Sequence, residues 1–320
     1  MQHPPRQDSR SWRTLVATIA TLLLGATVLA GCGGDSSGAA SAGPTHTITH
    51  VLGTTEVGAK PQRVVALEYS FVQALDLLGV TPVGIADDES AERIQQLLDK
   101  KIEYTSVGTR LEPNLELVSS LKPDLIIADS TRHAKIYKQL GSIAPTIVLN
   151  SWEGSYQEIK DAVVTIGEAL GDRETGVQAV KKHEQTMADL AAKIPADEKR
   201  TFMLAVSTPD SMTLHTAASF TGSVFQTLGL TPAVQATDPT ESGAGLERVA
   251  AVNPGVLLIA TDGAGTAYDQ WKDTATWKGV AAERDKQVYV VDRNQFSRFR
   301  GLGTAEVIAQ TILRNVYGDA

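Results

Sequence analysis

Two pairs of motifs recur in the same order along this chain, and the duplication limits what it can fold into. Asn114 to Ala128, NLELVSSLKPDLIIA, reads as a short helix, a proline stop and a buried strand. Gly245 to Ala260, GLERVAAVNPGVLLIA, repeats it: Leu115, Glu116 and Val118 are matched by Leu246, Glu247 and Val249, and Pro123 by Pro254. Upstream of each copy lies Leu-Gly-x-Thr-Pro, at 78–82 and again at 228–232. Two units are too few for a solenoid. They predict two similar α/β lobes facing each other across a cleft.

Local signals fill in the lobes. Val64 to Leu67 is a strand, followed by a helix that Ser70 starts with Gln73 completing a capping box. Asn114 is a good N-cap, and Pro123 prevents that helix from continuing. Leu125 to Ala128 is too short and too apolar for anything except an interior strand. Strands alternating with helices imply a mainly parallel sheet covered on both faces. Between the lobes, Ser155 and Glu158 cap one helix, and a second runs from about Arg173 to Lys193. At ~1.5 Å per residue the second spans about 30 Å, a stiff joint rather than a loose linker.

The N-terminus stands apart. Arg6, Arg10 and Arg13 precede an apolar run from Leu15 to Ala30, which reads as an export signal. It ends Leu29-Ala30-Gly31-Cys32, similar to the lipobox of bacterial lipoproteins, so Cys32 is expected to carry lipid and begin the mature chain. Cys32 is the only cysteine, which excludes an intrachain disulfide. The expected organisation is a lipoprotein signal peptide (1–31), a flexible tether (32–57), an N-terminal α/β lobe (58–153), an interlobe helical segment (154–197) and a C-terminal α/β lobe (198–320). Losing three Arg and one Asp with the signal takes the formal charge from −8 to −10, which argues against nucleic acid as a partner.

Parallel α/β sheets bind ligands beyond the carboxyl ends of their strands. Glu68 and Tyr69 fall there after strand 64–67, Arg132 and His133 after strand 125–128, and Arg298 and Arg300 after strand 288–291. Arg110 lies in a loop, and His215 follows strand 202–206. The planar fork of arginine pairs with carboxylates through two parallel hydrogen bonds, so Arg110, Arg132, Arg298 and Arg300 suit a ligand rich in carboxylates. Glu116 and Glu247 sit in first helical turns, where the helix dipole favours them; their matched positions also suit one acidic knob per lobe. Enzyme signatures fail. His183-Glu184 begins an H-E-x-x-H pattern that Met187 breaks, Gly34 to Gly38 lacks the strand and helix of a nucleophile elbow, and no Walker A motif exists. His183 is expected on a solvated helix face, and the three histidines of the folded body do not suggest a zinc site.

The stretches Val65 to Val72, Gly84 to Asp88, Val107 to Arg110, Leu121 to Ser130 with Arg132-His133, Leu214 to Thr216, Thr221 to Val224 and Arg298 to Gly301 together resemble the solute-binding family of bacterial iron–siderophore ABC importers, in its ferric-citrate branch. The resemblance covers roughly residues 55 to 316. It implies two Rossmann-like lobes joined by a single long interlobe helix, the class III periplasmic-binding-protein type, with no catalysis and no resident cofactor. It implies a Fe(III)-citrate-type chelate bound between the lobes by Arg110, Arg132, Arg298 and Arg300, with Tyr69, His133 and His215 as further contacts and no direct metal ligand. Cargo would pass to permease subunits and their ATPase, with Glu116 and Glu247 docking on the permease. The protein would act as a monomer, lipid-anchored at the outer face of the cytoplasmic membrane. Hard ferric ion is satisfied by citrate oxygens, so charge complementarity matters more here than metal ligation. A receptor for another siderophore, haem or cobalamin is the nearest alternative, and a cell-wall enzyme on an α/β scaffold a more distant one.

Overall fold

The computed structural model describes residues 44–318; Cys32, the signal segment and the first part of the tether lie outside that range. The first described element corrects the expected tether. Residues 45–58 form an antiparallel hairpin of β1 (Thr45–His50) and β2 (Gly53–Gly58). Alternate residues face inward, and Ile48 and Val57 are fully buried against the first lobe. Val51 N–H donates to the Val148 carbonyl at 3.0 Å and Thr55 Oγ1 to that of Thr146 at 2.9 Å. Within the two strands Ile48 and Val57 are the only large apolar residues, a weak local signal; the pairing with the lobe orders the segment.

The first lobe is built on β3 (Val64–Ala66), β4 (Gly84–Ile85), β5 (Thr105–Ser106), β6 (Leu125–Asp129) and β7 (Thr146–Leu149), all parallel in the order β5-β4-β3-β6-β7. Helices α1 (Tyr69–Leu77), α2 (Ala91–Leu98), α3 (Leu115–Ser120) and α4 (Tyr137–Ile143) connect them. Asn114 caps α3 as expected, its Oδ1 accepting from Glu116 N and Leu117 N at 3.0 Å. The cap of α1 differs from expectation. The N-cap is Glu68, without a side-chain bond to the helix, while Ser70 Oγ pairs with Ser151 Oγ at 2.7 Å. Gln73 reaches across to Thr304, whose N–H it accepts at 3.3 Å.

Two helices follow, α5 (Tyr156–Ala169), with the Ser155–Glu158 capping box formed, and α6 (Arg173–Ala191). At the turn between them Gly171 has φ +80°, and a Cβ there would collide with the Ala59 carbonyl. The second lobe holds β8 (Thr201–Ser207), β9 (Met212–His215), β10 (Thr231–Pro232), β11 (Thr240–Ala244), β12 (Val256–Thr261) and β13 (Val288–Asp292). Its order is β11-β9-β8-β12-β13, with β10 also on β8. β9 runs antiparallel to both its neighbours, β8 and β11, an addition to the parallel pattern read from the sequence: Thr208 and Ser211 close a tight turn that folds β9 back onto β8. Helices α7 (Phe220–Thr227), α8 (Leu246–Val252), α9 (Ala267–Trp271), α10 (Ala275–Lys278), α11 (Ala281–Arg284) and α12 (Leu302–Tyr317) complete it.

Helix α6 does not cross the junction alone. α5 puts Tyr156 and Ile159 in the second lobe's core and Ala162, Val163 and Ile166 in the first's; α12 puts Leu302 in the first and Ile308 and Ile312 in the second. His183 on α6 corrects another expectation. It is buried, with Nε2 2.6 Å from Tyr156 Oη and Nδ1 2.6 Å from Glu306 Oε1, so it ties the three crossing helices together.

Candidate functional site

The carboxyl ends of β3, β6 and β13, with the loops after β4, β5 and β7, meet at the cleft. Asp129, the last residue of β6, is fully buried and organises the first-lobe side. Its Oδ1 accepts from the backbone N–H groups of Thr131 and Arg132 at 3.0 and 2.8 Å, and its Oδ2 from those of Ser151 and Trp152, both at 2.9 Å. Two loops are thereby fixed, one presenting Arg132 and the other Trp152. The Arg132 guanidinium lies 3.8 Å from the Trp152 ring centroid, and that of Arg300, from the second lobe, lies 4.7 Å from it.

The arginines do not stand bare. Glu68, 1% exposed, lies between Arg110 Nη1 at 3.2 Å and Arg132 Nη1 at 2.8 Å. Burial raises its pKa, against the pull of both guanidiniums. Asp88 takes Arg110 N, Nε and Nη2 at 2.9, 3.0 and 2.8 Å. Burial favours the neutral carboxyl, yet the Arg110 hydrogen bonds outweigh it and leave the Asp88 pKa lowered. Asp88 and Glu89 both hold φ near 57°, a backbone conformation that costs energy outside glycine and clusters at functional sites. On the second lobe Asp262 pairs with Arg298, through Nη2 at 2.6 Å, and with Arg293 Nη1 at 2.5 Å. Those bonds, the Arg298 hydrogen bond first, hold its carboxyl at about 2.

Arg300 is different. It is 7% exposed, and among the described residues its side chain makes one hydrogen bond, from Nη1 to the Arg298 carbonyl at 3.3 Å. Burial pushes its pKa down to about 10. A guanidinium has five N–H donors, and of the four arginines Arg300 is the one without a carboxylate partner among the described residues. It lines a cavity of about 250 Å³ with Trp152, His215, Ser219, Arg293 and Ser297; exposed Glu153 also borders it. His215 ends β9 in that wall. Its Nε2 is 3.5 Å from Ser297 Oγ, and its Nδ1 has no partner among the described residues. Burial, helped by the nearby Arg300 charge, drives its pKa down to about 3, so the ring is neutral.

Tyr69 and His133 occupy other positions. Tyr69 is fully buried, its ring 4.0 Å beneath the Arg110 guanidinium and its hydroxyl donating to the Asp87 carbonyl at 2.9 Å. His133 is also fully buried; Nδ1 accepts from Asp129 N at 2.9 Å, and Nε2 donates to the Arg110 carbonyl at 2.8 Å. Both ring nitrogens are spent on backbone, so His133 braces the Arg110 loop. Phe299 packs edge-on against Tyr69, centroids 5.3 Å apart, and carries the Arg298–Arg300 segment onto the first lobe. Glu116 and Glu247 are exposed in the first turns of α3 and α8, and neither is among the residues that line the Arg300 cavity.

The sequence places Glu68 at the cleft end of strand 64–67 but gives it no role as a counter-charge; Asp88, Asp262, Arg293 and Trp152 are assigned no role there at all. Only Glu68 had a usable signal, a carboxylate at the end of a fully apolar strand. Among the described residues no group of three His, Cys, Asp or Glu is placed to hold a metal ion, and no helix is long and apolar enough to cross a membrane.

Comparisons with known proteins agree with this architecture. The chain is 43% identical over 307 residues to the Fe(3+)-citrate-binding protein YfmC of Bacillus subtilis, spanning 95% of this chain and 97% of that protein. It is 38% identical over 264 residues to the Fe(3+) dicitrate-binding periplasmic protein FecB of Escherichia coli, spanning 82% and 87%. The crystal structure of Staphylococcus aureus SirA complexed with staphyloferrin B superposes with a TM-score of 0.73 over 85% of this chain and 99% of that one, at 24% identity, a likeness of fold. The family of periplasmic binding proteins, which bind solutes rather than transform them, matches residues 64–294. With that match covering most of both lobes, the chain belongs to the periplasmic binding protein family.

Proposed function

We propose that this protein is the extracytoplasmic substrate-binding component of an ABC importer for ferric citrate. The observation that carries the reading is the gathering of Arg110 and Arg132 from one lobe and Arg298 and Arg300 from the other at one cleft, with Arg132 and Arg300 against Trp152 and Arg110 over Tyr69. Forked cations at fixed positions suit a chelate whose surface is carboxylate oxygen. The iron is cargo; citrate oxygens hold it, which agrees with a cleft that gathers cations in place of metal ligands. Similarity to two proteins named for ferric citrate supports the same ligand.

In this reading Arg300, with its free donors, is the principal anchor, Arg132 and Arg298 close on the chelate, and Tyr69 and His133 position Arg110. Lipid on Cys32 retains the monomer at the outer face of the cytoplasmic membrane. Glu116 and Glu247 dock the loaded lobes on the permease. The test is fluorescence titration of the mature protein with ferric citrate and with ferric hydroxamate, ferric catecholate and haem. Saturable binding of ferric citrate at the lowest concentration of the set is expected. Tighter binding of a carboxylate-free chelate would overturn the reading.

A further inference from the structure

We infer that Asp129 is a positioning residue for ligand capture: one buried carboxylate sets the loops of Arg132 and Trp152 in register with each other. This rests on the ferric-citrate reading of the cleft. A carboxylate has about four lone-pair sites, and here each is met by a backbone N–H, two from Thr131 and Arg132 and two from Ser151 and Trp152. Asp129 is fully buried, so it contacts neither solvent nor cargo. Its backbone continues the same work: Asp129 N donates to His133 Nδ1, and His133 Nε2 reaches the Arg110 carbonyl. Three loops that supply the first-lobe half of the site thus converge on one residue at the tip of β6.

The arrangement matters because the Arg132 loop follows β6 and the Trp152 loop follows β7; one backbone bond, Ser130 N to the Leu149 carbonyl at 3.0 Å, joins them at their base, and among the described residues the further hydrogen bonds between those loops are side-chain pairs, Thr131 to Glu153 and Ser130 to Asn150. Without a shared acceptor the 3.8 Å stacking of Arg132 on Trp152 would have to be assembled each time cargo arrives. Preorganisation of this kind tightens binding by removing an ordering cost.

Asparagine tests the point because it keeps the shape and halves the acceptor capacity. Its amide NH₂ must face one pair of backbone N–H groups, donor against donor, whichever way it is turned. In D129N we expect a folded two-lobe protein by circular dichroism, a red-shifted Trp152 emission, and ferric-citrate affinity reduced ten- to a hundredfold. In a W152A/R132A background the same substitution should cost less than threefold, since its route of action is gone. An unchanged affinity in D129N, or an equal loss in both backgrounds, overturns the inference. Should D129N not fold, hydrogen exchange on the wild-type protein decides: the amides of Thr131, Arg132, Ser151 and Trp152 should be protected without ligand, and rapid exchange there overturns it. If the wild type itself ignores ferric citrate, the ligand reading has failed, and the exchange measurement still judges Asp129.

Discussion

The guanidinium of Arg132 stacks on the ring of Trp152 at 3.8 Å, and the two residues come from loops after neighbouring strands. Arg300 of the other lobe approaches the same ring at 4.7 Å, so Trp152 is where the lobes share an aromatic surface. Each such contact is worth roughly 0.5–2 kcal/mol, more when desolvated. Replacing Trp152 by Ala should weaken ferric-citrate binding about tenfold, as measured by isothermal titration. Among the described residues the other tryptophans are Trp271 and Trp277, which pack in the second lobe. W152F should therefore also abolish most of the ligand-dependent change in emission. Full quenching in W152F would place the ligand elsewhere.

Glu68 yields a prediction of opposite character. It separates the buried Arg110 guanidinium from the partly buried one of Arg132, and removing one partner of a buried ion pair costs about 3–5 kcal/mol. For lobes of this size each kcal/mol is worth about 2–4 °C in Tm. E68A should melt about 10 °C lower than wild type. A chelate carboxylate can refill the gap, so ferric citrate should raise the Tm of E68A by more than it raises that of wild type. A variant that melts normally would mean the two arginines do not depend on Glu68.

These two residues also mark the limit of what the sequence discloses. The LExV…Pro-apolar repeats are local patterns, and the α/β lobes they imply are present. Arg132, Arg298 and Arg300 were legible because they follow strand ends, and Arg110 through the family resemblance alone. Their counter-charges were not: Asp88 lies 22 residues before Arg110, and Asp262 lies 36 before Arg298. Such pairings exist only once the sheets have formed. His183 was misread as solvated for the same reason, since Tyr156 and Glu306 reach it from helices distant in sequence. The 45–58 hairpin carries too few apolar residues to stand out from a tether.

His215 gives a pH test. Burial drives its pKa from 6.5 to about 3, so the folded state holds the neutral ring. For a depressed histidine the stabilising contribution is present above the unfolded pKa and is lost as pH falls from 6.5 toward 3. The slope reaches about 1.4 kcal/mol per pH unit for one proton. His50 and His133 are lowered as well, so wild type should lose stability steeply on acidification. Urea unfolding at pH 7 and pH 5 should show H215N losing about 2 kcal/mol less than wild type over that interval. Parallel curves would mean that His215 titrates normally.

The duplicated acidic knobs permit the functions of cleft and outer surface to be separated. Glu116 and Glu247 are exposed, each in the first helical turn of its lobe, and among the described residues neither side chain takes part in an ion pair. Their benefit to the helix dipole is below about 1 kcal/mol each, so replacement should leave the fold intact. In the double variant E116R/E247R, ferric-citrate affinity should stay within twofold of wild type, because neither position borders the arginine cluster. Uptake of labelled ferric citrate by cells carrying only this variant should fall close to background, since charge reversal at a docking face repels the partner that the native charge attracts. Either single variant should retain part of the uptake if the lobes dock through matched, separate contacts. Normal uptake by the double variant would remove Glu116 and Glu247 from the permease interface and leave their repetition to helix capping alone.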